Sequence, residues 1–254
     1  LTNQKQRELH IASGRYEVLL AQTVEEVEAA QSLRYKVFNE ELGEGLKASQ
    51  KYHLDVDKYD EQCDHLLVID RRNDKVIGTY RLQCYSYAQK YHGYYTEDEF
   101  DLSLLLGSIL TNSVEVGRAC IDREHRNGRV LYFLWRGIAK YIQKFQARYL
   151  LGCCSLNSTD PKEGWMLKAY LQRKGYFHPE FSVEAKPNYH CPKIPIEKNT
   201  RQKLTPPKLF QLYLDLGAKV LSNPALDLSF KTIDFLILVD IQELGEDSRA
   251  LFFQ

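Results

Sequence analysis

The sequence predicts a single α/β domain, a mixed central sheet flanked by helices, and three observations predict it. Strand-length apolar segments interleave with segments of helical period along the chain, the pattern of one layered domain. The 254 residues are 44% hydrophobic, enough for one large core. At mid-chain, Val114-Glu115-Val116-Gly117-Arg118-Ala119-Cys120-Ile121 is too β-branched and too short for a helix, yet it carries an acid and an arginine where a buried strand is apolar. Gly117 between them is expected to mark a bulge. Residues three apart face opposite sides of a regular strand, so a bulge would re-aim one of them and let Glu115 and Arg118 serve one cleft. The alternative is a structural ion pair at a strand end. The domain is expected over residues 1–254, with a core at about 15–180 and a C-terminal helix–strand extension at about 181–254.

Arg15 to Ala21 alternates loosely and reads as the first strand. Thr23-Val24-Glu25-Glu26 fits a capping box, with Thr23 as N-cap and Glu26 reaching back. The helix it opens carries Val27, Ala30, Arg34, Val37, Phe38 and Leu42 at helical spacing and is expected to stop at Gly43. The acid-rich stretch 45–64 is longer than loops in compact domains usually are, a mark of function or disorder. Its end matches a calcium loop for three residues but lacks that motif's glycine and closing glutamate. Residues 65–70 and 75–84 read as a hairpin, and the tyrosine-rich span 85–95 as a surface segment or groove wall. Residues 97–110 read as one short helix. After the Glu115 strand comes a loop, then a helix over 129–148 whose core stripe is Val130, Leu134, Ile138, Tyr141 and Phe145. A strand at 149–156 and a helix at 165–174 follow. Proline and lysine break up 181–205, Pro206 and Pro207 open a helix to Leu221, and 232–241 is the last strand.

A formal net charge of zero removes the global field expected of a nucleic-acid binder. The charge is uneven, however. Within 123–148 the cations Arg123, Arg126, Arg129, Arg136, Lys140, Lys144 and Arg148 face Glu124 alone, a surface for an acidic macromolecule or a solvated helix face. The six cysteines include no CxxC pair, so reduced, packed thiols are expected, and no zinc-ligand spacing occurs. Neither a signal-peptide core at 1–10 nor an apolar run of about 18 residues is present. A cytoplasmic protein without a bound metal is expected. Residues 208–221 read as a core helix or as an amphipathic helix in peripheral contact with the inner face of a membrane.

The Glu115-Val116-Gly117-Arg118 strand, followed by a basic loop and a helix, resembles the GNAT acyltransferase fold. That resemblance implies a bulged fourth strand that, with the next helix N-terminus, holds the pantetheine arm of an acyl thioester. Arg126-Asn127-Gly128-Arg129-Val130 departs from the glycine-rich turn that cradles the CoA pyrophosphate, placing a cation and a valine where small residues stand. Arg34 with Phe38, Asp57 with Asp60, Gly78-Thr79-Tyr80-Arg81-Leu82 and Glu115 with Arg118 are similar to the signature of acyl-homoserine-lactone synthases, with Leu42-Gly43 where those carry a tryptophan. The fuller resemblance, over roughly 16–240, is to the ornithine-lipid N-acyltransferase and N-acyl amino acid synthase group, sometimes labelled hemolysin-like. It rests on the Arg34 helix with Glu41-Leu42-Gly43, on Tyr59 to Val68, on Gly117-Arg118-Ala119-Cys120, on Leu134-Trp135-Arg136-Gly137-Ile138-Ala139, and on Pro224-Ala225-Leu226-Asp227 before Phe230.

This resemblance implies transfer of a long-chain fatty acyl group, with or without a 3-hydroxyl, to the α-amine of an amino acid, ornithine first. The donor would be the acyl-phosphopantetheine of acyl carrier protein, with no bound cofactor. The alternatives are an acyl-homoserine-lactone synthase and a non-catalytic acyl-carrier- or lipid-binding protein. The amine arrives as an ammonium of pKa about 8 or above and must lose a proton before it attacks. Glu115 is the expected base, directly or through a water. Arg118 is expected to position Glu115 or to take the substrate carboxylate, a task its planar fork suits. A backbone N–H freed at Gly117 would stabilise the oxyanion by about 3 kcal/mol. Ser155 and Cys154 are candidates to protonate the leaving thiolate. Arg34, Phe38, Asp57, Asp60, Asp64 and Arg81 are expected at the amino-acid site, Asp60 or Asp64 meeting a substrate cation; the alternative is a structural salt-bridge network. Arg123, Arg126, Arg129, Arg136 and Lys140, with Ser155, are expected to receive the acidic carrier protein and its arm.

Overall fold

The computed structural model describes residues 9–195 and 204–253. β1 (His10–Ser13) turns back at Gly14, φ 58°, into β2 (Tyr16–Leu20), a hairpin of which only the second strand is legible from alternation. The capping box forms as expected: the Thr23 side chain accepts from the Glu26 N–H and Glu26 accepts from the Thr23 N–H, starting α1 (Val24–Tyr35). The helix does not continue in α form to Gly43. Lys36–Glu41 widens into a π-helix in which the Leu42 N–H donates to the Val37 carbonyl. Such a widened turn shifts side chains off the regular period and recurs at functional sites. Here it brings Phe38 to Phe230, ring centroids 5.4 Å apart.

β3 (Asp64–Asp70) and β4 (Lys75–Cys84) form the expected hairpin, followed by α2 (Tyr85–Lys90). The single helix expected over 97–110 is instead α3 (Thr96–Glu99), a 3-10 turn at Leu102–Leu104 and α4 (Gly107–Thr111). The cause is tertiary. Asp101 donates its N–H to Glu184 and Lys186 donates to Glu99, so pairing with a distant segment draws the chain out of the helix. Then come β5 (Ser113–Ile121), α5 (Arg129–Phe145), β6 (Tyr149–Leu156) and α6 (Pro161–Arg173). The C-terminal part supplies α7 (Lys208–Asp215), β7 (Lys219–Val220), β8 (Ala225–Asp227), β9 (Thr232–Asp240) and α8 (Glu246–Phe252). α7 stops short of Leu221 because the chain turns at Gly217, φ 93°, to lay β7 on β9.

The described strands form one mixed sheet in the order β1-β2-β3-β4-β5-β6-β9-β7, with β8 also on β9. β7, β8 and β9, which fall in the stretch expected as an extension, join this same sheet: β6 pairs over its full length with β9, Tyr149 opposite Asp240 to Leu156 opposite Ile233. β5 and β6 are the parallel pair, and they stay paired only from Ser113–Tyr149 to Glu115–Leu151 before they part. Gly152 stands at the parting. A Cβ there would lie 2.4 Å from the Val116 carbonyl oxygen, so only glycine allows the backbones to approach so closely before they diverge. One face of the sheet carries α5 and α7, whose Val130, Leu134, Ile138, Phe210 and Tyr213 join the main core. The other face carries α1 and the α2–α4 segment, with smaller clusters around Leu33 and Leu151.

Candidate active site

The bulge is present, one residue away from where the glycine suggested. Thr79 pairs with Cys120 but Arg81 pairs with Gly117, so β5 holds one extra residue. The residue in left-handed conformation is Arg118, φ 49°, and not Gly117. A side chain held there costs about 1–2 kcal/mol, which the surroundings must supply. The extra residue turns Arg118 to the α1 face, where Glu115 already points, and both line one cavity of about 320 Å³. They do not form the strand-end ion pair that was the alternative. Glu115 accepts instead from the Tyr95 N–H, the Thr96 N–H and the Thr96 hydroxyl, each at 2.8 Å. Burial pushes the Glu115 carboxyl up from the ordinary range, and the Thr96 and Tyr95 N–H groups oppose that rise.

Arg118 belongs to an ion network. Its Nη2 donates to Asp57 Oδ2 at 3.0 Å and its Nε lies 3.4 Å from Asp55 Oδ2. Arg81 Nη1 donates to Asp57 at 2.6 Å and to Asp60 at 3.0 Å. Arg34 donates to Asp60 at 2.7 Å, lies 2.9 Å from an Asp55 oxygen and bonds the Asp55 carbonyl. Burial alone would raise these carboxyls, but the guanidiniums outweigh it and hold Asp57 and Asp60 below the usual carboxylate range. The Arg118 guanidinium also lies over Phe230 at 4.4 Å and over Tyr95 at 4.9 Å.

Of the residues expected at the amino-acid site, Phe38, Arg81, Glu115 and Arg118 line the cavity, and Gly117 does too. Arg34, Asp57 and Asp60 do not. They stand behind Arg81 and Arg118 and face each other, with Asp55 as a member that the sequence reading missed. Asp64 is a correction. It pairs with Leu82, so strand alternation sends it to the α5 face, where it accepts from the Tyr141 hydroxyl at 2.8 Å and meets no cavity. On the basic face, Arg123, Arg129 and Lys140 are exposed and Arg136 is half-buried. Arg126 is committed: it grips both Glu41 oxygens and donates to the Ile121 carbonyl, tying the loop to the π-helix.

The cavity spans both faces where β5 and β6 part. On the α5 face it is walled by Tyr80, Leu82, Val116, Cys154, Phe210 and Tyr213. On the α1 face, beyond Arg81, Arg118 and Glu115, it ends against Glu99 and Asp234, acids absent from the sequence reading, with Asp227 behind them. Glu99 on α3, Asp227 on β8 and Asp234 on β9 are buried, and an oxygen from each lies within 4.8 Å of the others. Glu99 and Asp234 form part of the wall, as do Ser155 and Glu44. Burial, then Asp234, pushes Glu99 well above the carboxylate range; burial raises Asp234 to about 6. Burial, then Asp234, raises Glu44 to about 7. An all-carboxylate set suits a hard cation or an ammonium group. Asp227 was legible only as part of a motif before Phe230; its Oδ1 accepts the Ser229 and Phe230 N–H groups at 2.7 and 2.9 Å and so turns Phe230 onto Arg118.

With this geometry in place, the Acetyltransferase (GNAT) domain family matches residues 33–136. A curated L-ornithine N(alpha)-acyltransferase from Agrobacterium fabrum (strain C58 / ATCC 33970) is 33% identical over 243 residues, 91% of this chain and 83% of its own. Among solved structures, FeeM, an N-acyl amino acid synthase from uncultured soil microbes, aligns with a TM-score of 0.53 at 11% identity, over 93% of this chain and 94% of its own. The AHL synthase LasI aligns with a TM-score of 0.51 at 11% identity, over 95% and 96%. At such identities these two structures speak for the shared fold.

Proposed function

The chain belongs to the family of L-ornithine N(alpha)-acyltransferases and is a GNAT-fold acyltransferase; from that premise we propose that it transfers a long-chain fatty acyl group from the phosphopantetheine thioester of acyl carrier protein to the α-amine of ornithine. One observation carries the reading: a single cavity crosses the sheet at the β5–β6 parting, apolar on one face and charged on the other. A fatty chain would lie among Tyr80, Leu82, Val116, Phe210 and Tyr213, each buried methylene contributing about 0.8 kcal/mol. The amino acid would sit on the α1 face with its carboxylate on Arg81 and Arg118, and Arg34, Asp55, Asp57 and Asp60 would hold those two guanidiniums still.

Glu115 takes a proton from the α-ammonium, and its raised pKa brings base and acid closer in strength. The freed amine attacks the thioester carbonyl. The N–C bond forms, the carbonyl becomes an oxyanion, and the bulge at Gly117–Arg118 offers it a backbone N–H, worth about 3 kcal/mol. Collapse breaks the C–S bond. The nitrogen gives up its second proton through the Ser155 hydroxyl to the departing thiolate, leaving an amide and free phosphopantetheine. Exposed Arg123, Arg129 and Lys140 attract the acidic carrier protein, so charge reversal at Arg129 slows association and flattens its salt dependence.

The test is lipid mass spectrometry of a heterologous host expressing the chain, beside its Glu115→Gln variant. An N-acylornithine that appears with the first and falls by about 10²–10⁴ in rate with the second supports the reading. No product from the purified chain with acyl carrier protein thioesters and ornithine refutes it. Product from acyl-CoA alone would move the donor assignment away from acyl carrier protein.

A further inference from the structure

Resting on the reading above, we propose that Glu99, Asp227 and Asp234 form a subsite for the distal, side-chain ammonium of the acceptor, so that this acid wall selects a diamino acid over a neutral one. The first support is the cavity, which ends against Glu99 and Asp234 on the same sheet face as Glu115 and Arg118. The second is an unmet demand for donors. Among the described residues, Glu99 Oε1 and Asp234 Oδ1 are buried without a hydrogen-bond partner, in residues that are 1% and 3% exposed. The neighbouring oxygens are already served: the Cys153 thiol approaches Glu99 Oε2 at 3.7 Å and the Thr232 hydroxyl donates to Asp234 Oδ2 at 2.9 Å. The Tyr95 hydroxyl eases the charge on Glu99 and the Ser155 hydroxyl that on Asp234, and burial still outweighs both.

A buried acceptor left unpaired costs about 1–3 kcal/mol, and an ammonium group brings three donors. The placement also fits. Thr96, the first residue of α3, holds Glu115, and Glu99 is the last residue of the same turn, so both carboxylates border one cavity wall. The two amines of a 2,5-diamino acid are separated by four carbons. One amine can face Glu115 while the other reaches the acids. Arg118 stands on the same wall and adds positive charge, which disfavours a divalent metal there more than a single ammonium.

The experiment compares L-ornithine with L-norleucine, in which a methyl replaces the distal ammonium, on the wild-type chain, Asp234→Asn and Glu99→Gln. The wild type is expected to favour ornithine by at least a hundredfold in kcat/KM, and each variant to cut that ratio tenfold or more. A ratio that does not change overturns the subsite, and so does an equal loss on both acceptors, which would place the α-amine or the fold at these acids. Activity that needs added Mg²⁺ or Ca²⁺ and vanishes with a chelator also overturns it. Thermal shift separates the subsite from the reaction. Ornithine raising the Tm of the wild type but not of Asp234→Asn upholds the subsite even where no acyl transfer is seen; no shift in the wild type refutes it.

Discussion

Two buried charge clusters lie on the same face of the sheet and differ in a way that assigns their tasks. The Arg34–Arg81–Arg118 network contains three arginines and three aspartates, each guanidinium facing acids on the 55–60 loop. The Glu99–Asp227–Asp234 cluster contains acids only, and two of its oxygens have no donor among the described residues. The first is balanced in charge: Asp55 Oδ2 lies 2.9 Å from Arg34 and 3.4 Å from Arg118, although these atoms make no geometrically formed hydrogen bond among the described residues. It fixes the loop and presents Arg81 and Arg118 to the cavity in one orientation. The second lacks a counter-charge of its own, Glu99 and Asp234 are raised in it, and it gains from any cation that enters. A folded domain tolerates such a deficit where function requires it.

The contrast predicts opposite signs on stability. Asp60→Asn leaves Arg34 and Arg81 short of a counter-charge in a buried setting, and urea unfolding at pH 7.5 should show a loss of about 3–5 kcal/mol. An unchanged midpoint would mean that the network is not closed. Asp234→Asn should do the reverse and stabilise by about 1–2 kcal/mol at pH 7.5, because the folded state raises this acid to about 6 from an unfolded value near 3.9. A raised acid binds its proton more tightly when folded, so its contribution is fullest below about pH 4 and is lost as pH rises through about 6. The gain from Asp234→Asn should therefore shrink toward pH 4.5. A gain that is equal at both pH values would sink the electrostatic account. Asp57 and Asp60 follow the opposite rule: their lowered pKa values give stability above the ordinary carboxylate range that is lost as pH falls below it. The smallest effect belongs to the surface pair, where Arg126→Ala should cost no more than about 1 kcal/mol despite its two-pronged grip on Glu41.

Local chemistry was legible in the chain and long-range assembly was not. The capping box at Thr23, the limits of β6 and the α5 stripe each follow from residues a few positions apart, and each formed. Glu115 and Arg118 were visible because polar groups in an apolar strand stand out. The bulge was legible through Gly117, but the strained residue is its neighbour, since register and not glycine content decides which residue is left over. The π-turn at Lys36–Glu41, the broken 97–110 segment and the short β7 and β8 depend on partners far along the chain. The acid wall had no sequence signal of its own. Residues 99, 227 and 234 meet because β9 runs back along β6 and carries β8 with it.

That return of β9 has a consequence for biosynthesis. β6 ends at Leu156 and its full-length partner starts at Thr232, so on the ribosome the inner edge of the sheet waits roughly 4–15 s at 5–20 residues per second. Throughout that interval an apolar strand offers open backbone groups to any other extended chain. The arginine–aspartate network, whose residues all precede 119, can close while the polypeptide is still being made. The cavity cannot, since Phe210, Phe230 and Asp234 are its late-arriving walls. A nascent chain thus carries a finished scaffold before it has a site, and its yield in a cell should depend on chaperones that shield the β6 edge until synthesis is nearly complete.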